Sequence, residues 1–379
     1  MKNLGLITPC YTADTSGVCS MLYELGGMVV VHDASGCNST YTTHDEPRWT
    51  LTKSMIYISA FTELDAIMGN DEKLISDICS AAADQKPEFI AVCGSPMPMM
   101  TGVDFDAIAT EIKIRTGIPT LALHTTGTHS YIDGASEALL EYVKKFVSYS
   151  AEKTPNGINI LGATPLDFGL NSAINSIKQW LNENDFRVNA VFAMNAKKED
   201  LLNAGKAQAN LVISQTGFAA AEYMKRQFGI PYVLGAPIGR RFALFLAENL
   251  RSAVKNSTAS IVNRCNECDT IIIGEGISAY SLASALQLEC SHTARIICPL
   301  PVTDKIMQAQ DQVIYAEEDI KAELHSQAIR YVIADPLYRP LVPDSVKLIA
   351  LPHFAFSGRC FANQIPDLMN KSLEVLFHD

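Results

Sequence analysis

The stretch MVVVHDASGC, residues 28–37, sets the reading of the whole chain. Met28–Val31 is a short apolar run, and His32, Asp33 and a small-residue turn ending on Gly36 and Cys37 stop it. A run this short and continuously apolar, bounded by a turn, reads as a strand buried on both faces. A parallel sheet gathers its ligands beyond the carboxyl ends of its strands, which is where this turn delivers a histidine, a carboxylate and a thiol.

The same design recurs along the chain. LGLIT (4–8), EFIAVCGS (88–95) and TLALHTT (120–126) read as further strands, with helical stretches EKLISDICSAAADQ (72–85) and DFDAIATEIKIRTG (104–117) between them. ASEALLEYVKKFVSYSAEK (135–153) closes the region as a helix running into the polar linker SAEKTPNG (150–157). The pattern restarts with INILGAT, VNAVFAM, ANLVIS and PYVLGAP, then a long helix over RRFALFLAENLRSAVKNSTASIVNRC (240–265). A third start at TIIIGEG leads to ARIICPLP, QVIYAE, YVIADP and KLIALP. Strands alternating with helices of ten or more residues mean βαβ units and parallel sheets. The expected architecture is α/β, with three Rossmann-like domains over residues 1–150, 151–262 and 263–379, each a mainly parallel sheet flanked by helices.

Composition narrows the function. The 379 residues are 48% hydrophobic and 19% charged, with a formal net charge of −11. That balance argues against nucleic acid, whose partners present a basic face. No apolar run is long enough for a membrane span, and the opening MKNLGLITPCYTADTSG is a poor signal peptide. The expectation is a cytoplasmic, reducing location, where the ten cysteines are thiols rather than disulfides.

Those thiols are not scattered at random. LIT runs into PCYTADTSGVC, MVVV into HDASGC, and FIAV into CGSPMPMM, so Cys10, Cys37 and Cys93 each follow a strand. In one parallel sheet all three can converge and bind a soft metal or an iron–sulfur cluster. A cubane needs one more ligand, from Cys19, Asp33 or a second subunit. The competing reading is ordinary packing of strand-end cysteines, and core packing is the reading for Cys79.

With these motifs in order, the sequence resembles the catalytic-component subunits of the nitrogenase superfamily. That group includes nitrogenase α and β chains, their cofactor-assembly homologues, dark-operative protochlorophyllide reductase and nickel-sirohydrochlorin reductive cyclase. HDASGC resembles the family's H-x-P-x-G-C element, with Ala34 where proline is usual, and AIMGNDEKL resembles its F-G-G-x-x-K-L. AVCGSPMPMMTGVDFDAI is similar to its C-x-x-x-x-I-G-D-D-I region, and NILGATPLDFG and FGIPYV match its central domain. The resemblance implies a [4Fe–4S] cluster held by Cys10, Cys37 and Cys93. Aligning on TGVDF puts Ser95 at the third cysteine position, with Cys93 two residues earlier and Cys19 as a further candidate. It also implies a homodimer or α₂β₂ heterotetramer, and a separate ATP-dependent iron–sulfur protein as electron donor. The chain has no G-x-x-x-x-G-K-[ST], so ATP hydrolysis falls to that partner.

Departures from the family matter too. The cofactor cysteine position falls in VISQTG (212–217), which has no thiol. The cofactor histidine position falls near Phe361, with His353 eight residues earlier and Cys360 adjacent. An iron–molybdenum cofactor held by the usual cysteine and histidine is therefore not expected.

Other signals carry plainer alternatives. GEGISAYS (274–281) satisfies a dinucleotide G-x-G-x-x-A, but no acidic residue ends the next strand, so a tight packing turn is the reading. Cys265 and Cys268 form a single C-x-x-C, half a zinc site, read as a surface or interface thiol pair. THDEPRW (43–49) reads either as a solvated loop with local salt bridges or as a substrate-facing loop in which His44 donates protons. His124 and His129 read as satisfied loop histidines, and the methionines of SPMPMM as apolar shielding. The resemblance thus implies an electron-accepting reductase component acting on a small molecule, with a cofactor-assembly scaffold as the alternative.

Overall fold

The computed structural model describes residues 12–34, 46–255, 260–326 and 329–376. Among the described residues every strand lies in one of three parallel sheets; the strand expected at LGLIT (4–8) lies outside them. The first contains β1 (Met28–His32), β2 (Met55–Ile58), β3 (Ile90–Gly94) and β4 (Thr120–Leu123), in the order β2-β1-β3-β4. The second contains β5 (Gly157–Ala163), β6 (Arg187–Ala193), β7 (Ala209–Val212) and β8 (Tyr232–Leu234), in the order β6-β5-β7-β8. The third contains β9 (Thr270–Ile273), β10 (Ala294–Cys298), β11 (Gln312–Val313), β12 (Tyr331–Ala334) and β13 (Lys347–Ala350), in the order β11-β10-β9-β12-β13. Each sheet starts in its middle and winds outward both ways. The reversal leaves a switch point between β1 and β3, between β5 and β7, and between β9 and β12.

The reason lies in the strand sequences. Val29, Val31, Ala91, Cys93, Leu121 and Leu123 pack into the large core shared with the second sheet. The alternate residues Met28, Val30, Ile90 and Val92 pack on Leu74, Ile75, Ile78, Ile108 and Ile112, from the helices Asp71–Gln85 and Phe105–Thr116. Both faces are apolar because both are covered, and each large side chain so buried stabilises the fold by roughly 1.5–3 kcal/mol. The edge strand β2 has no such signature: MIYI is only half buried and one residue is exposed, which is why periodicity does not announce it.

Two helices tie the first sheet to the second. The helix Asp14–Leu22 is buried along its whole length and crosses the helix Tyr131–Phe146. They touch backbone to backbone through glycines. A Cβ on Gly17 would lie 2.1 Å from the Tyr131 carbonyl oxygen, and one on Gly134 would lie 1.9 Å from that of Asp14.

Two helix bounds differ from expectation. The helix of the 135–153 stretch begins at Tyr131, where Ser130 and Asp133 form a capping box, and ends at Phe146. The helix at 240 ends at Val254 instead of running to 265.

Sheets two and three are joined by short polar links. The Gln215 backbone N–H donates to Glu275 Oε1 at 2.8 Å, and its side-chain Oε1 accepts from the Thr303 N–H at 3.0 Å. Lys305 Nζ donates to Glu222 and to the Tyr232 hydroxyl. Lys305 and Glu222 are both more than 40% exposed, so solvent screens the pair. Lys305→Ala is expected to lower stability by less than about 1 kcal/mol in urea unfolding, and the difference should vanish at about 1 M salt.

Candidate functional site

Each switch point ends in a carboxyl group. Beyond β1 and β3, the Ser95 hydroxyl donates to Asp33. Beyond β5 and β7, the Thr164 and Ser214 hydroxyls donate to Asp167 Oδ2 at 2.8 and 2.6 Å, and the Tyr131 hydroxyl donates to Oδ1 at 2.5 Å. Beyond β9 stands Glu275, whose oxygens take the N–H groups of Gln215, Ile277 and Ser278. Beyond β12 stands Asp335, which accepts from the Leu337 and His353 N–H groups and the Ser357 hydroxyl.

The second and third of these switch points face one another across a narrow cavity of about 80 Å³. Asp167, Glu275, Asp335 and His353 line it, with an apolar wall including Phe168, Ile238, Leu282 and Phe356. No lysine or arginine is among the lining residues. Burial pushes Asp167 up to about 7, and the nearby Glu275 charge adds to it, against the pull of its three hydroxyl donors. Burial also raises Glu275 and Asp335. Burial pushes His353 down to about 4, so its imidazole is neutral at ordinary pH. Its Nε2 lies 3.7 Å from Asp167 Oδ1. Both ring nitrogens are buried without a hydrogen-bond partner among the described residues. Neutral imidazole and half-protonated carboxyl sit side by side in a cleft, an arrangement suited to handling protons.

Sequence reasoning did not single out Asp167, Glu275 or Asp335. The available signal was an acidic residue just beyond an apolar strand, in ILGATPLD, TIIIGE and YVIAD. Glu275 also resolves the G-x-G-x-x-A reading. Its carboxylate caps the helix Gly276–Glu289 and occupies the N–H groups that a pyrophosphate would need.

Of the residues proposed around a cluster, Cys10 and Cys37 lie outside the described residues, as does His44. Cys93 is the penultimate residue of β3, fully buried, in the core layer that also holds Cys19 of the helix Asp14–Leu22. Burial and the Cys19 thiol hold Cys93 well above the usual thiol range, and burial pushes Cys19 up to about 12. Both are neutral thiols as they stand. Ser95 and Asp33 sit one step further out, at the sheet edge, and are bonded to each other. Among the described residues no three histidine, cysteine, aspartate or glutamate side chains come together as a metal site. Of the three ligands that the resemblance implies, the described residues place Cys93 alone.

In the described part of the 43–49 loop, Glu46 and Arg48 are buried and Trp49 is exposed. Arg48 is buried, with Nε 2.6 Å from Glu46 Oε1, Nη1 2.9 Å from Glu24 Oε1 and Nη2 2.6 Å from the Ser20 carbonyl. It is a packed ion cluster that anchors the loop to the helix Asp14–Leu22. His124 bonds Glu137 and Asp106 at the surface, and His129 lies 3.7 Å from Asp14. Cys265 is exposed, and Cys268 is partly buried with its Sγ 3.5 Å from the Cys265 carbonyl. No described helix is long and apolar enough to cross a membrane.

Three doubly wound parallel sheets make this an α/β protein. The chain belongs to the nitrogenase component 1 type oxidoreductase family, whose model matches residues 16–280. It is 27% identical over 215 residues to the nitrogenase iron-molybdenum cofactor biosynthesis protein NifE of Clostridium pasteurianum, covering 54% of this chain and 45% of that protein. It is 25% identical over 206 residues to a subunit of the light-independent protochlorophyllide reductase of Porphyra purpurea, covering 52% of this chain and 40% of that protein. The chain thus spans under half the length of each of these relatives. A solved structure, nitrogenase Cp1 at pH 6.5, superposes with a TM-score of 0.72 at 13% identity, covering 100% of this chain and 93% of that one. At that identity the likeness concerns the fold alone.

Proposed function

We propose that this chain is the electron-accepting, catalytic component of a nitrogenase-like two-component reductase, and that its substrate is reduced in the cavity between the second and third sheets. The supporting observation is the buried Asp167 carboxyl, raised to about 7, beside the neutral and unpartnered His353 ring. Reduction adds protons along with electrons, and an acid with a pKa near the working pH is the efficient donor. Asp167 gives one proton to the bound substrate and takes one back before the next turnover. The Tyr131, Thr164 and Ser214 hydroxyls hold the carboxylate between turnovers.

In this reading electrons come from a separate ATP-hydrolysing iron–sulfur protein, and this chain is paired with a second copy or a homologous subunit. Cys10, Cys37 and Cys93 would hold a [4Fe–4S] cluster, which would supply one-electron transfer. Cys19, Ser95 and Asp33 are the alternative donors, and His44 is a second candidate proton donor. The test is iron and sulfide content, with electron paramagnetic resonance of the reduced protein purified without oxygen. Each of Cys10→Ala, Cys37→Ala and Cys93→Ala is expected to lose the cubane signal. A signal untouched by Cys93→Ala moves the third ligand to another donor, and the absence of iron from the parent protein removes the cluster from the proposal.

A second reading is a carrier of metallocofactor precursors, favoured by the similarity to NifE. The cavity weighs against it. About 80 Å³ lined by carboxyl groups and no Lys or Arg is poorly matched to a large anionic metal–sulfur cargo. Substrate consumption that depends on ATP and the reductase partner supports the enzyme. Bound metal–sulfur cargo released without turnover supports the carrier.

A further inference from the structure

Cys265 and Cys268 take no part in the cavity. They lie on the turn between Asn263 and Asp269, just before β9, and both are free thiols. Residues 265–267 are exposed and Cys268 is partly covered. The turn is braced from the side. Gln287 Oε1 accepts the Cys265 N–H at 2.8 Å, and the Gln287 amide donates to the Asn263 carbonyl at 3.0 Å. The Thr293 hydroxyl donates to the Glu267 carbonyl. Held in this way, the Cys268 thiol points back across the turn, with Sγ 3.5 Å from the Cys265 carbonyl oxygen.

That contact limits how far apart the two sulfurs can be. A carbonyl oxygen stands about 2.4 Å from its own Cα, so Cys268 Sγ lies within about 6 Å of the Cys265 Cα. Disulfide-bonded cysteines have Cα atoms about 4.4–6.8 Å apart. Rotation of the two side chains, and not refolding of the turn, therefore brings the sulfurs together. Metal binding is the other use of a C-x-x-C, and it needs further donors. Among the described residues no third cysteine, histidine, aspartate or glutamate joins this pair as a metal site.

We propose that Cys265 and Cys268 are a redox-active dithiol, oxidised to an intramolecular disulfide by a soluble disulfide and reduced again by a soluble dithiol. This chemistry does not depend on the reductase reading. The exchange runs in two steps. The thiolate of Cys265, the more open of the two, attacks one sulfur of the incoming disulfide, breaks its S–S bond and releases one thiol. Cys268 then attacks the Cys265 sulfur, forms the Cys265–Cys268 bond and releases the second thiol. The protein gives up two electrons and two protons, and both end on the released thiols. Burial raises the Cys268 thiol above its ordinary range. It reacts second, when the mixed disulfide stands beside it and proximity makes up for its weaker acidity.

The experiment treats the full chain, purified without oxygen, with oxidised glutathione at neutral pH. Remaining thiols are trapped with iodoacetamide and each cysteine is mapped by peptide mass spectrometry. In the parent, the 265–268 segment is expected to lose two hydrogens and to carry no glutathione. Cys360, exposed and with no cysteine near it in sequence, should carry glutathione instead. Dithiothreitol should return both Cys265 and Cys268 to thiols. Cys268→Ser should stop the reaction at the mixed disulfide, raising glutathione on Cys265 by about tenfold or more over the parent. Cys265→Ser should slow the oxidation of Cys268 by about tenfold or more, because the open thiol is gone. If either variant does not fold, as judged by circular dichroism, the map of the parent decides alone. Glutathione left on Cys265 of the parent while Cys268 stays a thiol overturns the proposal. So does a parent in which both thiols stay unmodified while Cys360 reacts.

Discussion

Asp167→Asn is expected to lower reductive turnover by about 10²- to 10⁴-fold, the usual worth of a positioned general acid. The substitution is close to isosteric. Asparagine keeps an acceptor oxygen for Tyr131, and the Thr164 and Ser214 hydroxyls can turn to accept from its amide, so the cavity keeps its shape. What is lost is the proton. On the reductase proposal, the parent protein's rate should fall as pH rises through about 7, where Asp167 ionises, and this limb should be missing from the variant's residual activity. The measurement is a pH profile of substrate consumption with electrons in excess. A variant with parental activity and an unchanged profile moves the proton donor elsewhere.

The same substitution has a stability signature of opposite sense. The fold raises Asp167 from the ordinary value near 3.9 to about 7, so the native state favours the protonated form. Its contribution is fully present below about pH 4 and is lost as pH rises through about 7. Asparagine cannot ionise. The variant should therefore lose less stability than the parent between pH 5 and 9, even as its activity collapses. His353 works in the other window. The fold lowers it from about 6.5 to about 4, so its contribution is present above pH 6.5 and is lost as pH falls through 4. Between those limits the fold holds both groups neutral, the state that the proposed proton transfer requires.

The parallel sheets are legible in the sequence because their central strands are apolar on both faces. MVVV, FIAV, TIII and YVIA can only be buried twice over, and that forces helices on either side. Beyond this, legibility falls with burial. The edge strand β2 is half exposed and carries no periodic signal, and the long apolar-periodic stretch at 240 shows no stop, although the helix ends at Val254. The switch-point carboxyls escape for a different reason. Asp167, Glu275 and Asp335 lie more than 50 residues apart in sequence, and each sits where an acidic residue ordinarily caps a helix. Capping is in fact part of what Glu275 and Asp335 do. No local pattern separates an acid that only caps from one that also lines a cavity, since the distinction exists only once two sheets face each other. Cysteines are conspicuous in sequence and draw the attention, whereas the cavity is built from residue types that usually mean a solvated surface.

Gly134→Ala is expected to destabilise the protein by about 3 kcal/mol or more, despite two reasons for expecting the reverse. Alanine is the better helix former by about 1 kcal/mol, and glycine in mid-helix costs backbone entropy. Neither outweighs geometry here. The new methyl carbon would lie 1.9 Å from the Asp14 carbonyl oxygen, and backbone on the facing helix cannot swing aside as a side chain would. The helices Asp14–Leu22 and Tyr131–Phe146 must separate by more than an ångström, opening the core around Val18, Tyr131 and Ala135. Gly17 makes the reciprocal contact with the Tyr131 carbonyl, so separation at one glycine disturbs the other. Displacing Tyr131 also withdraws its hydroxyl from Asp167 Oδ1, joining the stability of this crossing to the proposed site. An apparent melting temperature lower by roughly 4 °C or more in circular dichroism is the expected reading. An alanine variant as stable as the parent means that the two helices do not pack backbone to backbone, and that the path from the first sheet to Asp167 through Tyr131 is not built as described.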